Sequence, residues 1–335
     1  MTKVYLVGAG SGDPALLTIK GQRALAQADI VFYDRLLNPL LLYLAPKTAE
    51  LVFVGKAPDH HALKQEEIEA EMIAAATAGK TVVRLKGGDP GFFGRVGEEM
   101  AALKAAGISY EVYPGVTSAS GASLYAGFAV THRHLAEKCL IATPTAQLQD
   151  FAAEPVAQIA AGGTVVIYMG MEKLAELTAI FTSQGAAATL PAAVIRWGTW
   201  GRQEKVVGTV ADIAEKTAAA GLKNPALIII GPTAAQAEDT SWFEALPHFG
   251  ERLVYVTTSG LSFEEMLDYT DQGADFYPVF VGTARDRRFD ELHQRLLPEY
   301  LAAENGRVEY ESEQAQKLFA ALKEELAEDD RKTDI

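Results

Sequence analysis

The feature that most constrains the fold of this chain is its alternation of short apolar runs with helical patterns. Strands are predicted at 3–7, 30–33, 51–54, 81–85 and 110–113, and helices at 18–28, 65–78 and 97–106. Such alternation predicts βα units and a largely parallel sheet. Ligands bind these sheets at the carboxyl ends of the strands, so functional residues are expected in the loops that follow the strands.

A second set of strand and helix patterns begins near residue 120. Strands are predicted at 139–143, 164–169, 192–197, 205–210 and 226–230, and helices at 172–184 and 211–220. The chain is therefore predicted to be an α/β protein with two lobes, 1–114 and 115–235, joined near Pro114 and Gly115. A third segment, 241–335, is predicted to form a short acidic α/β extension whose hydrophilic end is frayed or disordered.

Charge is unevenly distributed along the chain. The net charge is −14, but residues 1–240 carry 20 Lys and Arg against 23 Asp and Glu, whereas residues 241–335 carry 10 against 21. The acidic excess argues against a nucleic-acid partner, although local basic clusters in the first part can still hold an anionic ligand. No apolar run reaches the ~18 residues needed to cross a bilayer, and the N-terminus lacks a signal-peptide pattern. The chain is therefore predicted to have no membrane partner. Its single cysteine, Cys139, suits a reducing compartment, so the chain is predicted to be cytoplasmic.

A glycine-rich turn follows the first predicted strand, in the sequence KVYLVGAGSGDP. The dinucleotide-binding pattern G-x-G-x-x-G requires a third glycine where this chain has Asp13. Asp34, about 20 residues further on, can imitate the acid that binds a ribose, so a nicotinamide-dependent oxidoreductase stays an alternative. Glycines around Gly10 and Ser11 indicate either a backbone that approaches a ligand or a tight turn without one.

The segment RLKGGDPGFFGRVGEE, residues 84–99, concentrates glycines and charges. Gly87, Gly88 and Asp89 follow a predicted strand, so bare amides and one carboxylate are expected at the carboxyl edge of the sheet. Such a turn can hold the polar parts of a nucleoside ligand. The flanking Arg84, Lys86 and Arg95 form either a positive cluster for an anion or a solvated charged rim.

Two further groups of residues are candidates for chemistry. Lys56 lies just after another predicted strand, at the same edge as Asp34, where it can pair with an acidic substrate, move a proton or be a surface lysine. Thr117 or Ser118 can cap a helix whose exposed amides can bind an anion or a carboxylate.

Eight ordered motifs resemble a known family: GAGSGDPALLT, VFYDRLL, VGK with QEEI, RLKGGDPGFFGR, PGVTSASGASLYAG, THR, VVIYMG and PALIIIG. Across residues 3–233 they resemble the uroporphyrinogen-III-methylating members of the tetrapyrrole methylase family. The resemblance implies a two-lobed class III methyltransferase fold, usually a homodimer, with an active-site cleft between the lobes. It implies methylation of uroporphyrinogen III at C2 and C7 by S-adenosylmethionine, giving precorrin-2 for sirohaem and cobalamin biosynthesis.

The resemblance also implies roles for individual residues. Asp34 matches the proposed proton acceptor, and Lys56 matches the proposed proton donor. The predicted S-adenosylmethionine contacts include two residues of the glycine-rich turn that follows the first predicted strand. The full set is Gly10, Ser11, Gly87, Gly88, Asp89, Phe92, Thr117, Ser118, Met169, Gly198 and Ala226. The predicted partners of the substrate carboxylates are Arg35, His61, Lys86, Arg95 and Arg133. No metal is expected, since His132 and His134, two histidines separated by one residue, make a poor site.

Departures from the family pattern keep a second alternative open. They occur at Ser11, Ala57, Pro144 and Pro232, and they are compatible with a catalytically impaired homologue that binds S-adenosylmethionine. The tail, from WFEALPHFGERLVYVTT to GADFYPVF, resembles the opening of a uroporphyrinogen-III synthase domain. Only about half of such a domain fits into residues 241–335, so no synthase activity is expected there.

Overall fold

The chain forms two compact units. A computed structural model describes residues 3–55, 63–237 and 239–333. The first unit contains Met1–Val116 and His248–Ile335, and the second contains Thr117–Pro247. The chain therefore leaves the first unit close to the predicted lobe junction and returns to it with the tail.

The first part of the first unit alternates strands and helices. Its elements are β1 (Val4–Gly8), α1 (Ile19–Leu25), β2 (Ile30–Tyr33), β3 (Glu50–Phe53), α2 (Gln65–Thr77), β4 (Val82–Lys86), α3 (Val96–Ala105) and β5 (Tyr110–Tyr113). The strands form one parallel sheet in the order β3-β2-β4-β1-β5. The predicted parallel sheet is confirmed, and the loops that follow its strands share one edge.

The central strand β4 carries charges at its carboxyl end. It is buried along its whole length. Val83 and Leu85 face one hydrophobic core, and Val82 faces the core on the other side of the sheet, as expected for a strand covered on both faces. By the same alternation, Arg84 and Lys86 lie on the face of Val82, so this face changes from apolar to charged as the strand ends.

The second unit contains a mixed sheet. Its elements are α4 (Ser118–Tyr125), β6 (Cys139–Ala142), α5 (Leu148–Ala160), β7 (Thr164–Ile167), α6 (Leu174–Ser183), β8 (Pro191–Arg196), β9 (Glu204–Thr209), α7 (Ile213–Ala219) and β10 (Ala226–Ile230). The order is β6-β7-β10-β8-β9, with β6 and β7 parallel and the other pairs antiparallel. The predicted strands are present, but α5 is absent from the prediction. Pro155 lies inside α5, and a proline weakens the sequence signal of a helix.

The tail folds into a three-stranded parallel sheet with helices. Its elements are β11 (Arg252–Thr257), α8 (Phe263–Asp271), β12 (Asp275–Phe280), α9 (Asp290–Leu301), β13 (Gly306–Tyr310) and α10 (Glu313–Thr333), in the sheet order β12-β11-β13. The extension is folded as far as α10, which buries Phe319 and Leu322, and a frayed hydrophilic end stays a prediction. Although α10 is long, no described helix is both long and apolar enough to cross a bilayer.

The tail contributes to both units. The side chains of Ser241 and Trp242 donate hydrogen bonds to the carbonyls of Tyr125 and Leu124, at 2.6 and 3.0 Å, and so fix the start of the tail to the second unit. From His248 onward the tail belongs to the first unit. There, residues of β11, β12, α9 and α10 share one hydrophobic core with residues of β1, β2 and β4.

The tail is expected to lose stability in acid because it buries a neutral histidine. His293 in α9 is 3% exposed, and its Nδ1 lies 2.8 Å from the Tyr277 hydroxyl. Burial lowers the pKa of His293 to about 4, from an ordinary value of 6.5. Because the unfolded chain binds this proton more readily, the free energy of unfolding decreases as the pH falls from 6.5 to about 4, by roughly 3 kcal/mol in total.

Urea unfolding at several pH values checks this prediction. His293→Gln removes the titrating group but keeps a hydrogen-bonding group for Tyr277. The unfolding free energy of the variant is therefore expected to depend less on pH, from about pH 7 to pH 4, than that of the unchanged protein. The same pH dependence in both proteins would show that His293 does not limit acid stability.

Candidate active site

Three glycine-containing loops meet where β1, β4 and β5 end. Gly10 and Gly88 exchange two backbone hydrogen bonds, with N–O distances of 3.2 and 2.7 Å. A Cβ on Gly115 would lie 2.2 Å from the Gly88 carbonyl oxygen, and a Cβ on Gly8 would lie 2.5 Å from the Gly115 nitrogen. Because no side chain fits between these backbones, Gly8 and Gly115 are required for the packing of one loop on another.

The Asp89 side chain joins two of these loops by hydrogen bonds. Its Oδ1 accepts a hydrogen bond from the Gly91 amide at 2.7 Å, and its Oδ2 accepts one from the Gly115 amide at 3.0 Å. Each carboxylate oxygen therefore already binds a backbone N–H. Asp89, predicted as a ligand contact, thus ties the loop after β4 to the loop after β5.

Gly87 and Gly88, by contrast, have open space beside their backbone. Gly87 is exposed, and a Cβ there would meet nothing nearer than Leu36 at 3.7 Å. Gly88 has a φ of +68°, and a Cβ there would have no neighbour within 4 Å. Leu36 and Phe92 are themselves exposed apolar side chains. The Gly88 amide already donates to the Gly10 carbonyl. The backbone donor that suits a nucleoside, which has a flat base and a polar sugar, is therefore the amide of Gly87.

Asp34 is the exposed end of a buried charge cluster, by which we mean Asp34, Arg84, Lys86 and Glu99. Asp34 directly follows β2, its side chain is 31% exposed, and its Oδ1 accepts a hydrogen bond from Arg84 Nη2 at 2.6 Å. Arg84 Nε and Lys86 Nζ both contact Glu99 Oε1, at 3.2 and 2.8 Å. The side chains of Arg84, Lys86 and Glu99 are buried. The cluster therefore contains two cations and two carboxylates and reaches solvent at Asp34.

This cluster changes the interpretation of Lys86. Lys86 is predicted to bind a substrate carboxylate, but its side chain is buried against Glu99. Burial, assisted by the neighbouring Arg84, lowers the pKa of Lys86. Because a buried and paired amine is not accessible to a large substrate, we reassign Lys86 to the buried charge cluster.

The other predicted substrate residues differ in their availability. Arg35 and Arg133 are exposed. Arg95 is exposed as well, but its guanidinium donates two hydrogen bonds to Glu98, at 2.9 and 2.5 Å. His61, and with it the predicted catalytic Lys56, lies outside the described residues.

In the second unit, Thr117 precedes α4 as predicted but does not cap it with its side chain. The Thr117 hydroxyl lies 2.6 Å from the Tyr168 hydroxyl, and the Ala119 amide donates to the same Tyr168 oxygen at 2.7 Å. The Tyr168 hydroxyl therefore already accepts a hydrogen bond from one of the helix amides that are predicted to be able to bind an anion. Ser118, the first residue of α4, is partly buried.

Met169 combines exposure with an unusual backbone. Its side chain is 64% exposed, and its φ is +53°. Residues other than glycine rarely adopt this left-handed conformation, and those that do are concentrated at functional sites. The predicted contact of Met169 with a ligand is therefore compatible with its position.

Gly198 has a packing role of its own. A Cβ at this position would lie 2.2 Å from the Ala122 Cβ in α4. The residues on either side, Trp197 and Thr199, both have left-handed backbones, with φ of +49° and +70°. Ala226 begins β10 and pairs with Arg196 of β8. The close approach of the Gly198 loop to α4 therefore explains the glycine at this position, whether or not Gly198 also contacts a ligand.

Glu99 and Tyr168 contact residues of the candidate site, and sequence reasoning missed both. Glu99 and Leu103 lie four residues apart on α3, and both are buried, so an acidic residue occupies the apolar face of this helix. An acid at a core position is a detectable signal, but the cation that pairs with it lies on another element. Tyr168 has no comparable signal, because an aromatic residue after a buried strand is most often part of the core.

A separate cavity of about 560 Å³ lies in the first unit, beside the carboxyl ends of β11 and β12. Its lining includes Lys47, Thr258, Ser262 and Arg288. None of the predicted site residues that the structure describes lines this cavity. Within 3–55, 63–237 and 239–333, no group of three or more His, Cys, Asp or Glu residues is placed to hold a metal ion.

The sequence of this chain is similar to those of known methyltransferases. The model of the family "Tetrapyrrole (Corrin/Porphyrin) Methylases" matches residues 3–214. A uroporphyrinogen-III C-methyltransferase of Bacillus subtilis (strain 168) is 44% identical over 282 residues, which are 81% of this chain and 56% of that relative. A second protein of the same name and organism is 42% identical over 246 residues, 73% of this chain and 96% of the relative.

The chain thus spans just over half of the longer relative and nearly all of the shorter one. The matched 81% is more than residues 1–240 make up, so similarity to the longer relative continues into the tail. Among solved structures, the uroporphyrin-III C-methyl transferase from Thermus thermophilus complexed with S-adenyl homocysteine is 37% identical, with a TM-score of 0.57. That comparison covers 68% of this chain and 97% of the Thermus chain.

Proposed function

Because this chain belongs to the tetrapyrrole methylase family, we propose that it transfers methyl groups from S-adenosylmethionine to uroporphyrinogen III. The observation that carries the proposal is the edge of the first sheet, where the open space beside Gly87 and Gly88 and the carboxylate of Asp34 follow the neighbouring strands β4 and β2. The names of the relatives support the substrate, and S-adenyl homocysteine in the Thermus structure supports the donor. The proposed product is precorrin-2, methylated at C2 and C7.

The binding task follows from the chemistry of the donor. S-adenosylmethionine supplies an already activated methyl group when bound, so the protein has to align the reactants and exclude water. In the first unit we assign a polar contact of the donor to the backbone amide of Gly87 and an apolar contact to Phe92. Gly10, Gly88 and Asp89 hold these loops together by hydrogen bonds, and Ser11 stays a predicted contact. In the second unit the proposed contacts are Thr117, Ser118, Met169, Gly198 and Ala226.

The proton balance requires an acceptor. Addition of a methyl cation to a pyrrole carbon leaves a positive charge on the macrocycle, which is removed when a proton leaves. We propose Asp34 as the acceptor, because its carboxylate is partly exposed at the sheet edge. Lys56 stays the predicted proton donor.

The carboxylates of the substrate need cationic partners. Of the predicted cations, Arg35 and Arg133 are exposed, whereas Arg95 would have to give up its pair with Glu98. The homodimer, the cytoplasmic location and the lack of synthase activity in the tail stay predictions.

Anoxic incubation of the full chain with S-adenosylmethionine and uroporphyrinogen III tests the proposed function. We expect mass spectrometry to show two methyl groups added per macrocycle and one S-adenosylhomocysteine released per methyl group. Binding of S-adenosylhomocysteine without any methylated product would favour an impaired homologue instead. A melting temperature raised by NADH, but not by S-adenosylhomocysteine, would favour the nicotinamide oxidoreductase.

A further inference from the structure

The buried charge cluster is not explained by stability. Removing charges from water is costly, and buried ion pairs can often be replaced by apolar residues without loss of stability. The cost is visible here, since within the described structure Glu99 Oε2 is buried without a hydrogen-bond partner. Two of its members, Arg84 and Lys86, nevertheless lie on the central strand β4, and the one member that is substantially exposed is Asp34.

Arg84 holds Asp34 from a fixed position. Its Nε is bound by Glu99 Oε1, and its Nη1 donates to the Leu85 carbonyl at 3.2 Å and approaches the Phe32 carbonyl at 3.5 Å. The guanidinium is planar, so contacts on Nε and Nη1 also fix the direction of Nη2. Arg84 Nη2 is the group that holds Asp34 Oδ1 at 2.6 Å.

We propose that Arg84, oriented by Glu99, is a positioning residue for the proton acceptor of the methylation reaction. It engages one oxygen of Asp34 and so determines where the second oxygen points. Lys86 contacts the same Glu99 oxygen and balances the charge of the cluster. The role of Asp34 as proton acceptor rests on the proposed function. The orientation that Arg84 gives to the Asp34 carboxylate does not.

Arg84→Lys is the most informative single variant, because it keeps the charge and removes the planar fork. We expect kcat to fall about tenfold, while KM for uroporphyrinogen III and Kd for S-adenosylhomocysteine each change by less than about twofold. Arg23→Lys is the matched control, since Arg23 is exposed on α1, and it should change none of the three values. A raised KM with unchanged kcat would overturn the inference in favour of a substrate-binding role.

A double-mutant cycle separates positioning from a structural role. In an Asp34→Asn background, Arg84→Lys should reduce kcat no further, because the group to be positioned is already lost. A purely structural effect would persist in that background, and an additive loss would therefore overturn the inference. Should Arg84→Lys fail to fold, Glu99→Gln releases the same guanidinium and is expected to give the same pattern.

Crystal structures provide a readout that does not depend on turnover. In Arg84→Lys the Asp34 carboxylate is expected to turn away from its position in the unchanged protein or to occupy two rotamers. An unchanged carboxylate would overturn the positioning role. If the unchanged protein does not methylate uroporphyrinogen III, the proposed function fails, and the orientation of Asp34 alone decides this inference.

Discussion

Gly87→Val is expected to abolish binding of S-adenosylhomocysteine without unfolding the protein. Gly87 is exposed, its φ lies outside the left-handed region, and a Cβ there meets nothing nearer than 3.7 Å, so the fold accommodates the substitution. The valine side chain would instead fill the space beside the backbone amide of Gly87, which we assign to the nucleoside. Because a ligand that approaches bare backbone cannot tolerate a branched side chain there, we expect Kd to rise by at least about 100-fold.

Titration calorimetry with S-adenosylhomocysteine measures this effect, and circular dichroism verifies the fold. Gly97→Val is the matched control, because Gly97 is exposed on α3 and a Cβ there has no neighbour within 4 Å. The control should bind S-adenosylhomocysteine like the unchanged protein. A folded Gly87→Val protein with unchanged Kd would remove Gly87 from the donor site.

The sheet edge can be predicted from sequence because it needs only the positions of the strands. Asp34 and Gly87 each follow an apolar run, and a parallel sheet brings the carboxyl ends of all its strands to one edge. The structure confirms this arrangement, with β2 and β4 adjacent in the sheet.

The role of each charge at that edge cannot be predicted in the same way. Strand alternation places Arg84 and Lys86 on one face, but whether that face is solvated or buried depends on α3, which supplies Glu99. The sequence shows three basic residues near a glycine turn, whereas the structure pairs two of them internally and leaves Arg95 outside. Tertiary packing thus places two residues of the predicted positive cluster in internal ion pairs, one of which is with Asp34.

The tail shows how composition can conceal a fold. Its average composition is acidic and hydrophilic, yet Phe319, Leu322 and Leu326 recur on one face of α10 and are buried. Spacings of three and four residues between apolar positions predict an amphipathic helix even when the average composition is hydrophilic. For this segment the apolar periodicity predicts the helix better than the average composition does, because burial requires only one apolar face.

Gly115→Ala is expected to destabilise the first unit by about 3 kcal/mol or more. The new Cβ would lie 2.2 Å from the Gly88 carbonyl oxygen and 2.9 Å from the backbone of Gly8. Both contacts are with backbone, which cannot rotate away as a side chain can. Separating the loops would also stretch the 3.0 Å hydrogen bond between the Gly115 amide and Asp89, so steric cost and lost hydrogen bonding act together.

Chemical denaturation followed by circular dichroism tests this prediction, with Gly97→Ala as the control. Gly97 lies in the first turn of α3 in open space, so its replacement should leave stability unchanged or slightly raised. Gly115→Ala and Gly87→Val thus affect different properties, stability in one case and ligand affinity in the other. A Gly115→Ala protein that kept full stability but lost S-adenosylhomocysteine binding would show that Gly115 serves the ligand, and the account of its loop as a packing device would be wrong.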